Sequence, residues 1–494
     1  MPSKPTTRWQ VSGYRFLVRR MEHALVRRDV RMLHDPMRSQ SRAYAAGLVL
    51  AIIVLAGCGV LALLRPQDKI GDNKILVGKE SGGVYVVIDN VVHPALNLAS
   101  ARLAAGEAAK PAVVKESELG KKARGQLIGI PGAPSSLRFG TDDKGRVWSV
   151  CDQLKNDGSK DLTTSVVAGD PELGEKASVM GNDKALLVQG KDSTYLVFGN
   201  KRAKVKLTER AVTDALGITG ETARPIGEGL LNAIPEVPEI KVPEIDDPGG
   251  SVNYSVGGHR IGDVVEVPTQ PDTHYVVLYD GLQQISPLTA NIIRNRYKPT
   301  SATTTIDQAD KTDAPVSHAL QVDSYPPSAP KVIESKDQPV SCLSWEPIAA
   351  AADNKDGNRA TLSVITGVAL PIPDNAKTVP LAQADGSGGN ADSVYIPPGT
   401  GMYVQSTGIE PDSRRKDSSF YIADTGVRYG IKNNESAKAL GMDSEKNVKP
   451  EPAPWPIVGL LAPGPSMGRE EAMVAHDGVA ADPSPSKQPV ASAK

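Results

Sequence analysis

The chain has 494 residues, with 56 Lys+Arg against 57 Asp+Glu, a formal net charge of −1 and three cysteines. That length exceeds one ordinary core and implies several units, while the balanced charge leaves no electrostatic footprint for nucleic acid, so no such partner is expected. Aromatics are only 4% of the chain, and 46 Gly with 39 Pro favour many short elements joined by turns over long packed helices.

The first 42 residues form a basic arm: 10 Lys/Arg, from Lys4 to Arg42, against Glu22, Asp29 and Asp35. Within it, Val11, Tyr14, Val18, Met21, Leu25 and Met32 follow 3–4 spacing, broken only by Arg28, and draw one apolar stripe along a predicted helix. Asp35-Pro36 is expected to end that helix. Arg15, Arg19, Arg20, Arg27 and Arg31 occupy its other faces. Such a helix lies on anionic headgroups or docks on a cytoplasmic protein. The narrow, regular stripe favours docking through Val11, Tyr14, Val18, Met21 and Leu25 with Arg19, Arg20, Arg27 and Arg28, and lipid contact along the basic side.

Ala43–Leu64 follows as 22 residues without a charge, flanked by Arg42 and Arg65. A helix of that length spans ~33 Å, enough for a bilayer core of ~30 Å. The basic arm on its amino-terminal side places that end in the cytoplasm and everything after the span outside. Leu55-Ala56-Gly57-Cys58 resembles a lipobox. A cleaved lipoprotein signal is opposed by the length of the arm and by the apolar run continuing through Val60–Leu64.

Beyond the span the chain repeats itself. A β-rich run, a tight turn, a second short strand and a short helix recur at Tyr85–Leu103, Tyr195–Leu216, Tyr275–Ile293 and Phe420–Leu440, with Asp-Asn, Gly-Asn, Asp-Gly and Asp-Thr-Gly as turns. Asn97, Thr208, Thr289 and Asn434 are the predicted N-caps. Spacing between copies is irregular, and the gaps hold Cys151 and Cys342. In an oxidising compartment that pair is most simply a disulfide, two free buried thiols being the alternative. Trp148-Ser-Val-Cys151 mirrors Cys342-Leu-Ser-Trp345, so antiparallel pairing of the cysteines also pairs the tryptophans, on the opposite sheet face.

The expected organisation is an α+β fold: arm (1–42), single transmembrane helix (43–64), repeat 1 (65–140), a central β domain in two parts (141–184 and 326–375), repeats 2 (185–250), 3 (251–325) and 4 (376–465), and a disordered tail (466–494). Four small α/β repeats thus surround a disulfide-closed centre.

Catalytic patterns fail. The Gly-Lys pairs at 78–79, 120–121 and 190–191 lack the upstream Gly and following Ser/Thr of a P-loop, and Gly140…Gly145 is followed by Arg146-Val147. Gly464-Pro-Ser466-Met-Gly468 fits a nucleophile elbow, yet only His476 and Asp477 follow, in reversed order. His93 reads as structural. With no CxxC and scattered histidines, no zinc site is expected.

Several segments together resemble one family. Gln10-Val-Ser-Gly-Tyr-Arg-Phe16, Arg19–Asp29, Arg31-Met32 and Asp35-Pro36 are similar to the cytoplasmic motif of EccB, a core membrane component of mycobacterial type VII (ESX) secretion systems. The likeness continues through His93-Pro94, Asn97-Leu98, Ser100–Leu103, Gly129–Pro134, Trp148–Cys151 and Val427–Gly430. It thins between about residues 300 and 392 and in the tail. The resemblance implies a structural subunit in the inner membrane with a periplasmic four-repeat domain. Implied partners are EccC (the motor ATPase), EccD, EccE and further EccB copies in a hexameric complex, with a mycosin protease nearby. Members are often named ATPases, which would make ATP a cofactor; the residues here supply no phosphate-binding loop, so no cofactor is expected. A cell-wall-binding module is the further alternative.

Overall fold

The computed structural model describes residues 7–31, 36–64, 70–139, 146–155, 161–297, 304–348, 359–442 and 448–479. The chain forms two units, residues 1–71 and 72–494. The first contains helix α1 (Arg8–Arg27) and helix α2 (Pro36–Leu64). Helix α1 ends earlier than the stripe predicts. Arg28 adopts left-handed backbone (φ 56°), and the Asp29 carboxylate accepts from the Arg31 N–H at 3.0 Å, a local turn that competes with further helix. Met32 and Asp35 lie outside the described residues, and Pro36, rather than closing α1, opens α2, where a missing N–H costs nothing. Helix α2 therefore begins seven residues before the uncharged run.

The second unit is built from five sheets. Four of them share one plan. In repeat 1 the strands Ile75–Gly78, Val84–Ile88 and Val91–Ala95 pair antiparallel, and helix Leu98–Ala105 follows. The chain then returns as Ala112–Val114, parallel to the first strand, and, after helix Glu116–Leu119, as segments parallel to the third. Repeat 2 (from Lys184), repeat 3 (from Val264) and repeat 4 (from Met402) reproduce this order. In repeat 3 the return beside the third strand shrinks to one bridge, Leu282 to Val316. The sequence pattern shows the hairpin and helix but not the first strand or the returning strands, which are too short to carry a period.

Turn chemistry follows the residues. Asp89 (φ 49°) with Asn90 (φ 65°), and Gly199 (φ 49°) with Asn200 (φ 61°), supply the left-handed pairs that tight hairpins need. Asn97 caps its helix, accepting from the Ser100 N–H at 2.8 Å. The other three predicted caps shift. Asn433, not Asn434, accepts from Ser436 N–H; the Ser286 hydroxyl accepts from Thr289 N–H; and Glu209 occupies the cap position expected of Thr208, without a side-chain bond. Each shift is one to three residues, the usual uncertainty where several small polar residues adjoin.

The fifth sheet is central. Its strands run in the order 379–380, 393–395, 162–168, 148–154, 340–347, 360–367, 177–179. Cys151 lies opposite Cys342 and Trp148 opposite Trp345 in the same antiparallel ladder, and Cys151 and Cys342 are disulfide-bonded across 191 residues. The Cα atoms are 4.0 Å apart, the close spacing of a non-hydrogen-bonded pair. An offset of three puts the tryptophans on the other face, and two separate cores form accordingly. Trp148 and Trp345 join the large core that includes Leu186, Val188 and Val197 of repeat 2 and Met402, Val404 and Ile422 of repeat 4. The cysteines join a small one with Val167, Ala177, Val340 and Ile365. The opposite face of repeat 2 (Leu187, Leu196, Phe198) packs with Leu288, Ile292 and Ile293 of repeat 3. Repeat 1 shares its core with Tyr403, Tyr421 and Leu440 of repeat 4. The order in space is therefore repeat 3, repeat 2, centre, repeat 4, repeat 1.

Repeats 2 and 4, which flank the centre, share a device that is not found among the described residues of repeats 1 and 3. Arg202 lies 5.2 Å from the Tyr195 ring and donates to the Leu231 carbonyl; Arg428 lies 5.1 Å from Trp455 and 6.0 Å from Phe420 and donates to the Leu461 carbonyl at 3.1 Å. The corresponding positions of repeats 1 and 3, beside Val87 and Val277, are Val92 and Leu282.

Three expected boundaries need correction. Strands 379–380 and 393–395, assigned to repeat 4, belong to the central sheet, and 331–332, assigned to the centre, pairs with repeat 2. The tail expected from residue 466 is ordered to 479: Met467 and Ala472 are fully buried between repeats 1 and 4, and Ala475-His476 pairs with Leu127-Ile128. Low aromatic content misleads there because Ala and Met do the packing. Residues 480–494 lie outside the described residues.

A buried polar node ties the layers together. Asp152, 1% exposed on the central sheet, accepts from the Thr164 hydroxyl at 2.7 Å and from the Gly227 N–H of repeat 2 at 2.6 Å. Asp392 accepts from the backbone N–H groups of Thr164, Asp385 and Gly386 at 2.8, 3.0 and 2.9 Å. Arg224 donates to the carbonyls of Gln338 and Pro339, each at 2.8 Å. Burial pushes the Asp152 carboxyl up to about 6 despite its hydrogen bonds and the Arg224 charge, and lowers Arg224 to about 10. The folded state thus holds the Asp152 proton more tightly than the unfolded chain. This contribution to stability is fully present below the ordinary value of 3.8 and is lost as pH rises through about 6. Relative to Asp152→Asn, the wild type should lose about 3 kcal/mol of unfolding free energy across that window. Urea midpoints of both proteins on each side of it measure this, and a pH-independent difference would refute it. The node also requires close backbone approach: Gly388 (φ 75°) would direct a Cβ at Gly227. Gly388→Ala should cost about 2 kcal/mol or more, whereas Gly389→Ala, meeting only Ser387 Oγ at 3.5 Å, should be nearly neutral in the same assay.

Candidate functional site

Helix α1 starts with a reciprocal cap: the Thr7 hydroxyl accepts from Gln10 N–H at 3.3 Å, and Gln10 Oε1 accepts from Thr7 N–H at 3.2 Å. This fixes the helix start and so the register of the faces. Val11, Tyr14, Val18, Met21 and Leu25 fall along one line, with Tyr14 65%, Met21 62% and Leu25 82% exposed. Large apolar side chains left this open mark an interaction surface. The arginines grouped with them do not share one face. At ~100° per residue, Arg19 and Arg20 lie a third of a turn or more from the stripe in opposite directions and Arg27 nearly half a turn away, while Arg28 is the C-cap. Trp9 (88% exposed) and Phe16 (54%) form a second apolar line near Arg20 and Arg27. Their i, i+7 spacing was readable in the sequence, but the longer stripe hides it. His23 is the one buried residue of the helix.

Helix α2 contains the membrane candidate. Ser39–Ala62 has a mean hydropathy of 2.6, and none of its most apolar window is buried within the protein. A helix this apolar is long enough to cross a membrane, and it lacks the internal packing of a core helix. Cys58 is exposed within it.

In the second unit a cleft of about 430 Å³ opens between the loop Pro134–Arg138 of repeat 1 and repeat 4. Tyr421 and Tyr429 are its buried floor, with both hydroxyls pushed up by burial. Arg138 and Asp424 line it, and Asp424 accepts from Gly399 N–H at 2.7 Å. The Tyr421 hydroxyl donates to the Arg138 carbonyl at 3.3 Å, and its ring meets Phe139 edge-on at 5.7 Å. Positions 283 residues apart in sequence meet here, so no local pattern announces the cleft.

The catalytic candidates are not assembled. His93 Nδ1 is 3.1 Å from the Gln126 carbonyl oxygen and His476 Nε2 is 2.8 Å from that of Gly129, both structural contacts. Ser466 is exposed in the five-residue loop between the two-residue strand Ala462-Pro463 and the four-residue helix Arg469–Ala472, before Met467, which bridges to Ile431, and not on the sharp strand-to-helix turn of a nucleophile elbow. Residues 140–145 lie outside the described residues.

Residues 3–481 match the family model for "Type VII secretion system ESX-1, transport TM domain B". The ESX-3 secretion system ATPase EccB3 of Mycolicibacterium smegmatis is 38% identical over 97% of this chain and 92% of its own. The ESX-1 secretion system ATPase EccB1 of Mycobacterium tuberculosis is 36% identical over 98% of each. Among solved structures, a chain of an intact ESX-5 inner membrane complex superposes with a TM-score of 0.76 at 31% identity, covering 99% of both chains. The EccB3 dimer from the ESX-3 core complex gives 0.70 at 35% identity, covering 82% of this chain and 100% of the other. A whole-chain match in sequence, in architecture and in the membrane helix with its basic arm leaves one assignment: the chain belongs to the EccB family of type VII secretion membrane proteins.

Proposed function

We propose that this protein is a structural subunit of an ESX inner membrane complex, holding cytoplasmic and periplasmic parts of the secretion machine in register across the membrane. The observation that carries this reading is the exposed apolar line Tyr14–Met21–Leu25 on a helix separated by eight residues from the helix carrying the membrane candidate. A helix of that kind needs a partner to cover it. The ten Lys/Arg before the span favour a cytoplasmic amino terminus and a periplasmic repeat domain. The partners proposed are EccC, EccD, EccE and further copies of this chain in a hexameric assembly, with a mycosin protease at the periplasmic side. The solved relatives, one in an inner membrane complex and one as a dimer, support an oligomeric setting.

The ATPase in the relatives' names is not part of this proposal. A P-loop needs a glycine-rich loop with Lys and Ser/Thr at fixed offsets, and none of the Gly-Lys pairs supplies it. No cofactor is therefore assigned.

Two outcomes test this. Met21→Glu with Leu25→Glu should reduce recovery of Ecc partners in a native pull-down by about tenfold or more, while the thermal midpoint of the repeat domain stays unchanged. Unchanged recovery would remove α1 as the docking element. Purified protein free of EccC should show no ATP turnover above background. Turnover that a substitution in this chain abolishes would overturn the structural-subunit reading.

A further inference from the structure

The two faces of the central sheet are covered very differently. The tryptophan face packs against repeats 2 and 4. On the cysteine face, the side chains packed over Cys151, Val167, Ala177, Val340, Cys342 and Ile365 are Leu370, Ile372 and Tyr395. Leu370 and Ile372 belong to an irregular segment without helix or strand, yet the cysteines beneath are 0% and 1% exposed. That segment is fastened to residues 172–176. The Val368 and Ala369 N–H groups donate to the Lys176 carbonyl at 2.8 and 3.4 Å, and Glu172 N–H donates to the Pro371 carbonyl at 3.0 Å. The Lys176 ammonium reaches across to the Ile372 carbonyl at 2.5 Å, Asp374 at 2.7 Å and Glu172 at 3.2 Å. One side chain thus uses its three donors to hold the cover at both margins.

We propose that Leu370–Asp374 is a strap that gates thiol–disulfide exchange at Cys151–Cys342, with Lys176 as its latch. Exchange needs a thiolate to approach one sulfur in line with the S–S bond. With the strap closed, that approach is blocked by Leu370 and Ile372. With it open, a dithiol reductant bonds to one sulfur as the S–S bond breaks and the other cysteine leaves as thiolate. The second thiol of the reagent then displaces the bound cysteine, so two electrons pass to the protein and the reagent ends as its own disulfide. The strap is a low-stability element by construction: its two apolar side chains, Leu370 and Ile372, are only half-buried, and it lacks ladder hydrogen bonds. Its opening exposes the bond without requiring the Trp148–Trp345 core to unfold.

The test uses the full chain in lipid nanodiscs with dithiothreitol, counting free thiols by maleimide mass tagging, where Cys58 contributes a constant background of one. Lys176→Met should accelerate loss of the disulfide by about tenfold, with a rate proportional to dithiol concentration. Lys176→Arg, which restores a multi-donor cation, should stay near the wild type, and Asp374→Asn should give a smaller acceleration without disturbing the fold. Equal rates in wild type and Lys176→Met would overturn the proposal. So would an acceleration matched by equally faster global unfolding, followed by tryptophan fluorescence in the same buffer.

Discussion

The pairing of residues 148–154 with 340–347 is the constraint on which the repeat domain is built. These strands meet across an excursion that contains all of repeats 2 and 3, and closing so long a loop carries a large entropic cost before any contact repays it. The ladder offsets that cost from both faces at once. On one, the disulfide removes the loop entropy from the unfolded chain, an effect of up to about 5 kcal/mol in the chain-entropy model. On the other, Trp148 and Trp345, 0% and 2% exposed, anchor the core shared with repeats 2 and 4. A one-residue slip would exchange these faces, placing indoles in the small cysteine-side core and cysteines in the large one. Register, covalent closure and repeat placement are therefore one constraint rather than three.

From that centre the repeats extend outward by sharing sheet faces. Alternation along Lys184–Gln189 sends Leu186 and Val188 to the centre and Ala185 and Leu187 to repeat 3. Repeat 2 is thus buried on both faces, and its strands Lys184–Gln189 and Thr194–Phe198 each carry an unbroken apolar run, Ala185–Val188 and Tyr195–Phe198. The Arg202 and Arg428 stacks fit the same geometry: next to the centre, a cation held between a ring and a backbone carbonyl can pack where Val92 and Leu282 suffice further out. The node at Asp152 and Asp392 then satisfies backbone N–H groups that this close layering strips of water.

What the sequence discloses and what it hides divide along physical lines. Turn residues with a local conformational demand, such as Asp89-Asn90, and mirrored motifs, such as Trp148…Cys151 against Cys342…Trp345, carry their structure within a few residues. Short parallel returns such as Ala112–Val114 carry none, because three residues hold no period and their partner is chosen by the tertiary fold. The ordered segment to residue 479 was missed for a related reason: its stability comes from Met467 and Ala472 in a core made by other repeats. In α1 the helix ends at Arg28 because a left-handed residue and an Asp29 side-chain bond prevail over an apolar pattern that nominally continues.

A single apolar helix cannot enclose a path, so the functional weight falls on what its two ends can grip. Helix α1 exposes apolar side chains on two sides, Met21 and Leu25 on one, Trp9 and Phe16 on another, with arginines between them. One covering partner leaves the second side open to water, lipid or a further chain. A helix patterned this way is most stable when surrounded, and an assembly of several copies among several partners is the environment that surrounds it. The repeat domain is the opposite case: its apolar faces are used internally, repeat against repeat, and its cores are closed without another chain. The protein therefore joins an element that needs partners to a body that folds on its own contacts. That asymmetry suits a connector, because a folded body can transmit position only if the other end of the chain is gripped.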